Sequence, residues 1–187
     1  MSFQATASQT VGPYFSIGFE PLYRADIAGP NVKGERIRLR GRVYDGNGAP
    51  VPDALLEIWQ ANAAGRYNHP EDSRDLPLDP GFLGFGRVAT DAAGGFEFST
   101  VKPGCVPGPD GKPQAPHLLM SVFMRGILKR AVSRVYFEGE PANADDLVLS
   151  CVPPPRRGTL LARAEGPGIW RWDVRMQGDG ETVFFAV

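Results

Sequence analysis

The sequence predicts an all-β fold: an antiparallel β-sandwich with an N-terminal arm and one or two short helices. Three observations carry that expectation. The apolar runs are short, and several alternate with polar residues at the two-residue period of a half-buried strand. Glycine and proline, 23 and 18 of the 187 residues, lie between those runs instead of pooling in one tract, which marks frequent turns. Only one segment offers a helix start, and it is short. Strands joined by turns, with almost no helix, bury their apolar faces by stacking sheet on sheet.

Composition bounds what such a fold can do. A chain of 187 residues buries one good core, so residues 36–187 are expected to form a single domain behind an arm and interface segment at 1–35. The net charge of −1 argues against nucleic acid or a membrane surface as the main partner. No apolar stretch approaches membrane-spanning length. The first residues lack a basic region followed by an apolar core, so no secretory signal is expected. Two cysteines, Cys105 and Cys151, make neither a disulfide framework nor a ligand cluster. Free thiols in a reducing cytoplasm fit that count.

In order along the chain, residues 1–35 show no sustained period. Gln9-Thr10-Val11-Gly12-Pro13-Tyr14-Phe15 joins turn formers to aromatics, and Phe19 and Tyr23 follow. Aromatics in that number suit an ordered arm lying on a surface of this chain or of a neighbour. Arg36 to Val43 alternates almost without fault and places four arginines on one face. Asp45-Gly46-Asn47-Gly48 reads as a hairpin-type turn, and Ala54 to Gln60 as the next strand. Pro70 to Leu83 is rich in Asp and Pro and reads as a surface loop.

Gly86–Asp91 and Phe96–Thr100, joined at Ala92–Gly95, predict a second hairpin. Lys102 to Pro109 carries three prolines and cannot continue a ladder. Ala131 to Phe137 is the expected neighbour of the strand before it. Asn143 to Leu149 offers the short helix, with Asn143 as cap and acids in its first turn. Trp170 to Met176 alternates cleanly as a late strand.

The central stretch is Pro116 to Arg125. Leu118 to Met124 has no charge and suits a strand buried on both faces. His117 stands at its start. It is a candidate metal ligand or general base, though a strand-end histidine bonded to backbone is the commoner case. The residue alone does not choose between these.

Leu39-x-Gly41-x-Val43, Leu56-Glu57-Ile58-Trp59-Gln60-Ala61-Asn62 and Gly65-Arg66-Tyr67 resemble the signature of the intradiol ring-cleaving dioxygenases. The likeness continues, in order, through Leu78-Asp79-Pro80, Gly86-Arg87, Thr90-Asp91, Lys102-Pro103-Gly104, Pro116-His117 and Tyr136-Phe137. It implies a transthyretin-like sandwich of the intradiol type. It also implies chemistry at ferric iron held by two tyrosinates and two histidines, a donor set that suits a hard cation. The substrate implied is a catechol, opened by O₂ between its two hydroxyl-bearing carbons.

At the ligand positions the likeness breaks. Tyr67 matches the first tyrosine. The second belongs to a Pro-Tyr-Pro-Trp after Lys-Pro-Gly, and here Val106 stands in its place. The histidines belong to a His-x-His pair, and here they read His117 and Leu119. His69 lies two residues after Tyr67, with nothing to place it near the vacant positions. The resemblance therefore implies no metal in this chain, with Tyr67, Val106, His117 and Leu119 as vestigial ligand positions.

Other segments resemble the iron-free alpha chain of those members that pair it with an iron-bearing beta homologue and cleave protocatechuate to 3-carboxy-cis,cis-muconate. Gln9 to Tyr14 resembles the alpha-chain motif that reaches the partner's active site, and Met124-Arg125-Gly126-Ile127 the segment whose arginine faces that pocket. Thr10, Gly12, Pro13 and Arg125 are thus expected pocket-wall residues, with no catalytic group in this chain. A guanidinium suits a benzoate-type substrate, through direct contact or through local potential. The alternatives are a self-sufficient dioxygenase with altered iron coordination and a stand-alone module that binds small aromatics.

Overall fold

The structure, a computed structural model, describes residues 5–109 and 111–186. The first four residues of the expected arm lie outside them. A short helix, α1 (Pro13–Phe19), precedes the strands. The strands are β1 (Arg36–Tyr44), β2 (Leu55–Trp59), β3 (Phe85–Ala89), β4 (Gly95–Val101), β5 (Val106–Pro107), β6 (Pro113–Gln114), β7 (His117–Phe123), β8 (Ala131–Phe137), β9 (Leu161–Gly166), β10 (Ile169–Arg171) and β11 (Val174–Arg175). Two one-turn helices, α2 (Leu147–Ser150) and α3 (Pro154–Arg157), lie between β8 and β9. The strand-rich expectation holds, with one more short helix than predicted.

Two groups of strands make up the main sheet. One runs β3–β2–β7–β8, all antiparallel. In the other, β1 has antiparallel β4 on one side and parallel β10 and β11 on the other. β9 joins the groups, parallel to β8 and antiparallel to β10. The sheet is therefore mixed, where the sequence predicted antiparallel pairing throughout. Parallel neighbours need a long return connection, and residues 138–160 supply one between β8 and β9.

Neither predicted hairpin forms a ladder. The turn after β1 leads to β2, and the turn after β3 leads to β4, yet each crosses from one strand group to the other. The turn chemistry was still legible: the Asp91 carboxylate takes the amides of Ala93 and Gly95, each at 2.8 Å. Both groups contribute to one core. Ile37, Leu39 and Val43 of β1 and Phe96 and Phe98 of β4 pack with Leu56, Ile58, Leu118, Met120 and Val135 from the other group. At about 25 cal/mol per Å² of buried apolar surface, this cluster is the main source of stability.

β1 alternates as predicted, with its arginines outward. Arg38 and Arg40 pair with Glu97 and Glu165, and Arg36 donates to the carbonyls of Ala28 and Gly29. Exposed pairs of this kind contribute only a few tenths of a kcal/mol. Gly41 has a packing reason: a Cβ there would lie 1.7 Å from the Trp172 carbonyl oxygen. The late strand breaks at Trp172-Asp173, because the Asp173 carboxylate takes the Arg42 amide (2.9 Å) where a ladder carbonyl would stand.

The segment ahead of β1 is built into the core. Arg24 exchanges backbone hydrogen bonds with Arg87 of β3 (2.7 and 3.0 Å), and residues 25–27 do the same with Ser99 of β4. Ile27 is fully buried between the two strands. Gly86 permits this, since a Cβ there would meet Ile27 at 2.6 Å. Further along, α2 is capped by Asp146 instead of Asn143, whose segment forms a 3₁₀ turn.

Candidate functional site

The strand registers place His117 and Leu119 on one face. Trp59 of β2 stands opposite Leu119 of β7, which stands opposite Arg134 of β8, and His117 stands opposite Tyr136. Opposed residues in an antiparallel ladder share a face, and so do alternate residues in a strand. Trp59, His117, Leu119, Arg134 and Tyr136 therefore project together, away from the main core.

Tyr67 reaches the same place from the loop between β2 and β3. Its amide donates to the Asp72 carboxylate (2.8 Å), and its ring lies parallel to Trp59, with centroids 5.8 Å apart. His69 meets Trp59 edge-on at 6.1 Å. Asp72 is held by Arg74, whose Nε donates to it at 2.7 Å, and that bond keeps the carboxylate well below its usual range. Val106, buried on β5, completes the wall with Pro107 and Gln114 around a cavity of about 710 Å³.

His117 takes the backbone-bonded form. It is 7% exposed, and its Nδ1–H donates to the Ala115 carbonyl at 2.7 Å. That bond fixes the neutral tautomer with Nε2 unprotonated. Burial, reinforced by the Arg134 charge, brings its pKa down to about 4. Tyr136 donates to Asp146 at 3.0 Å and is raised, chiefly by burial. Asp146, fully buried, also accepts the amides of Ala115 and Leu149, each at 2.8 Å. One carboxylate thus ties the start of β7, the strand β8 and the cap of α2 together.

These donors do not fit ferric iron. Tyr67 offers one oxygen. His117 offers one nitrogen, and Val106 and Leu119 offer nothing. Among the described residues no three His, Cys, Asp or Glu side chains gather as a metal site. A cation already stands on this face: the Arg134 guanidinium acts on both Tyr67 and His117.

Arg134, Gln114 and Asp146 were not singled out from the sequence as site residues. Arg134 left a signal, a charge in the middle of the otherwise uncharged run Ala131 to Phe137. Asp146 left none beyond its place beside a short helix.

The expected pocket-wall residues lie elsewhere, at the far end of β7. The Gly126 amide donates to the Thr10 hydroxyl at 2.8 Å. Gly12 caps α1 in an extended conformation, with open space where a Cβ would stand, and the backbone of Pro13 opens the helix. Phe15 of α1 packs on Phe123 at 5.2 Å, and Phe19 lies over the Arg87 guanidinium at 4.2 Å. Arg125 is 66% exposed and ion-paired with Asp53. Thr10 and the Arg125 segment thus meet on one exposed surface.

A family model described as Dioxygenase matches residues 12–178. The chain is 46% identical, over 202 aligned positions, to the protocatechuate 3,4-dioxygenase alpha chain of Burkholderia cepacia, covering all of this chain and 99% of that one. This chain belongs to the intradiol ring-cleavage dioxygenases. Among other members of that family it is 42% identical to the protocatechuate 3,4-dioxygenase beta chain of the same organism, over 78% of this chain and 68% of that one. Its fold is similar to the dioxygenase domain of a dioxygenase–carbohydrate-binding protein fusion from Streptomyces sp. SirexAA-E, with TM-score 0.64, 26% identity, and coverage of 93% of this chain and 99% of that one. As an intradiol dioxygenase chain it keeps one tyrosine and one histidine of the ligand set that the family resemblance implies.

Proposed function

We propose that this chain is the iron-free alpha subunit of a protocatechuate 3,4-dioxygenase. It pairs with a homologous iron-bearing beta subunit, and the complex opens protocatechuate with O₂ between its hydroxylated carbons, giving 3-carboxy-cis,cis-muconate. The observation that carries this is the donor set. Val106 and Leu119 occupy two ligand positions in a chain that keeps the family's sequence along nearly its whole length.

In this reading the arm, expected over residues 1–35, is an interface element in the part ahead of Arg24, where the segment enters the core. Thr10, Gly12, Pro13 and Arg125 form part of the wall of the partner's substrate pocket. The contact between Thr10 and Gly126 supports it, because it gathers the arm and the Arg125 segment on one surface. Exposed Tyr14, Ile17 and Leu22 add apolar area beside them. The shared core of the two strand groups supports a transthyretin-like sandwich. The exposed free thiols of Cys105 and Cys151 suit a cytoplasmic setting.

Co-expression with an iron-bearing beta homologue tests the proposal. The complex is expected to cleave protocatechuate, to carry iron with the beta chain only, and to lose turnover when this chain is left out. Stoichiometric iron with a visible tyrosinate charge-transfer band in this chain alone, together with ring cleavage, would overturn it.

A further inference from the structure

We propose that Arg87 is a positioning residue: it mounts the arm on the sheet and so sets where Thr10, Gly12 and the Pro13 backbone stand at the partner's pocket. The kinetic half of this rests on the function proposed above. The mount itself uses residues of this chain alone.

Arg87 lies at the middle of β3, opposite Glu57 of β2. Its Nε donates to Glu57 Oε1 at 2.7 Å, and its Nη2 donates to the same oxygen. The two side chains are 15% and 16% exposed, so the pair is held in one geometry where an exposed pair would move freely. A guanidinium fixed in this way presents a flat, charged face. The ring of Phe19, at the end of α1, lies 4.2 Å from it and that of Phe85 lies 5.4 Å away, both within cation–π range.

The main chain of the same residue holds the other end of the segment. The Arg87 amide donates to the Arg24 carbonyl at 3.0 Å, and its carbonyl accepts the Arg24 amide at 2.7 Å. Arg87 thus grips the chain twice, at Phe19 with its side chain and at Arg24 with its backbone. Between these grips the Tyr23 hydroxyl donates to the Ser16 carbonyl at 3.0 Å, which folds the segment back onto α1. The helix is only seven residues long, and its other anchor is the contact of Phe15 with Phe123. A piece this short tilts as a unit, so release at Phe19 displaces Gly12 and Thr10 at the opposite end. The exposed bond from Gly126 to Thr10 is too weak to hold that end alone.

Hydrogen exchange of the isolated full-length chain, with kinetics of its complex with an iron-bearing beta homologue, tests this. In Arg87→Gln and in Phe19→Ala, amides of residues 14–23 are expected to exchange about fivefold faster or more, with those of β7 unchanged. Phe19→Ala leaves the pair of Arg87 with Glu57 intact, so it keeps the test open if Arg87→Gln folds poorly. In the complex, both variants should raise KM for protocatechuate several-fold and hold kcat within about twofold. Arg87→Lys, which keeps the charge but not the flat face, should restore part of the loss. Unchanged exchange at residues 14–23 in both variants would overturn the mount. Faster exchange with KM unchanged, or KM and kcat changed together, would overturn the positioning role. Absence of turnover with the wild-type chain would overturn the proposed function and the positioning role with it, while exchange in the isolated chain still decides the mount.

Discussion

The Thr10 hydroxyl accepts the Gly126 amide at 2.8 Å, across 116 residues of sequence. That bond is the most direct tie between the segment before α1 and the end of β7. It is exposed, so its loss is made up largely by water. Thr10→Val should therefore shift the melting temperature little, and deletion of residues 1–14 should leave the sheet folded. Both changes should weaken assembly with the beta homologue and lower turnover together, read by size-exclusion chromatography and steady-state kinetics. Unchanged assembly after the deletion would remove the arm from the interface.

Asp53 holds Arg125 in an exposed ion pair. In the complex, Arg125→Ala should raise KM for protocatechuate several-fold, less than the roughly 1.5–3 kcal/mol of a desolvated charge-assisted contact, because water and Asp53 already compete for the guanidinium. The loss should shrink with added salt. Asp53→Asn should act in the opposite sense, lowering KM by freeing the charge. Plain catechol, without a carboxylate, should be indifferent to both substitutions. An equal effect on both substrates would assign Arg125 to the interface.

Asp146 satisfies three donors while fully buried. Asp146→Ala leaves the Ala115 amide and the Tyr136 hydroxyl without an acceptor and removes the cap of α2. A loss of about 3 kcal/mol is expected, or roughly 10 °C in melting temperature for a chain of this size. Tyr136→Phe, which removes one donor along with its partner bond, should cost clearly less.

His117 predicts a pH dependence of stability. Its folded pKa is about 4 against an ordinary 6.5. Between these values the unfolded chain binds more protons than the folded one, so stability rises with pH through that window. The contribution is complete above pH 6.5 and is lost as pH falls toward 4, by roughly 3 kcal/mol in all. Chemical denaturation at pH 7 and pH 5 should show the difference, and His117→Gln should flatten it. An equal slope in wild type and variant would place the titration elsewhere.

Much of the strand pattern could be read from residue periods alone. β1 and β7 declare themselves, one by alternating arginines and the other by an uncharged run, because local burial dictates both. Which strand pairs with which could not be read. The turns at Asp45 and Asp91 have hairpin chemistry, yet their flanking strands diverge, since partner choice depends on the shared core and not on the turn. The identities at Val106 and Leu119 were legible because they are single residues at positions that the family resemblance marks. The Gln114 contact of Arg134 was not, because Gln114 comes to it from β6, whereas Tyr136 lies on the same strand, β8.

The pairing of β1 with β10 and β11 sets an order on biosynthesis. Residues 36–44 are translated well over a hundred residues before the strands that cover one edge of them, residues 169–175. Until then the open edge of β1 is free to join other chains. A product terminated before Ile169 keeps that edge for good, and the groove above Gly41, shaped to receive the Trp172 carbonyl, stays empty. Truncated chains of this kind should appear in inclusion bodies or bound to chaperones, while the full-length product is recovered in the soluble fraction.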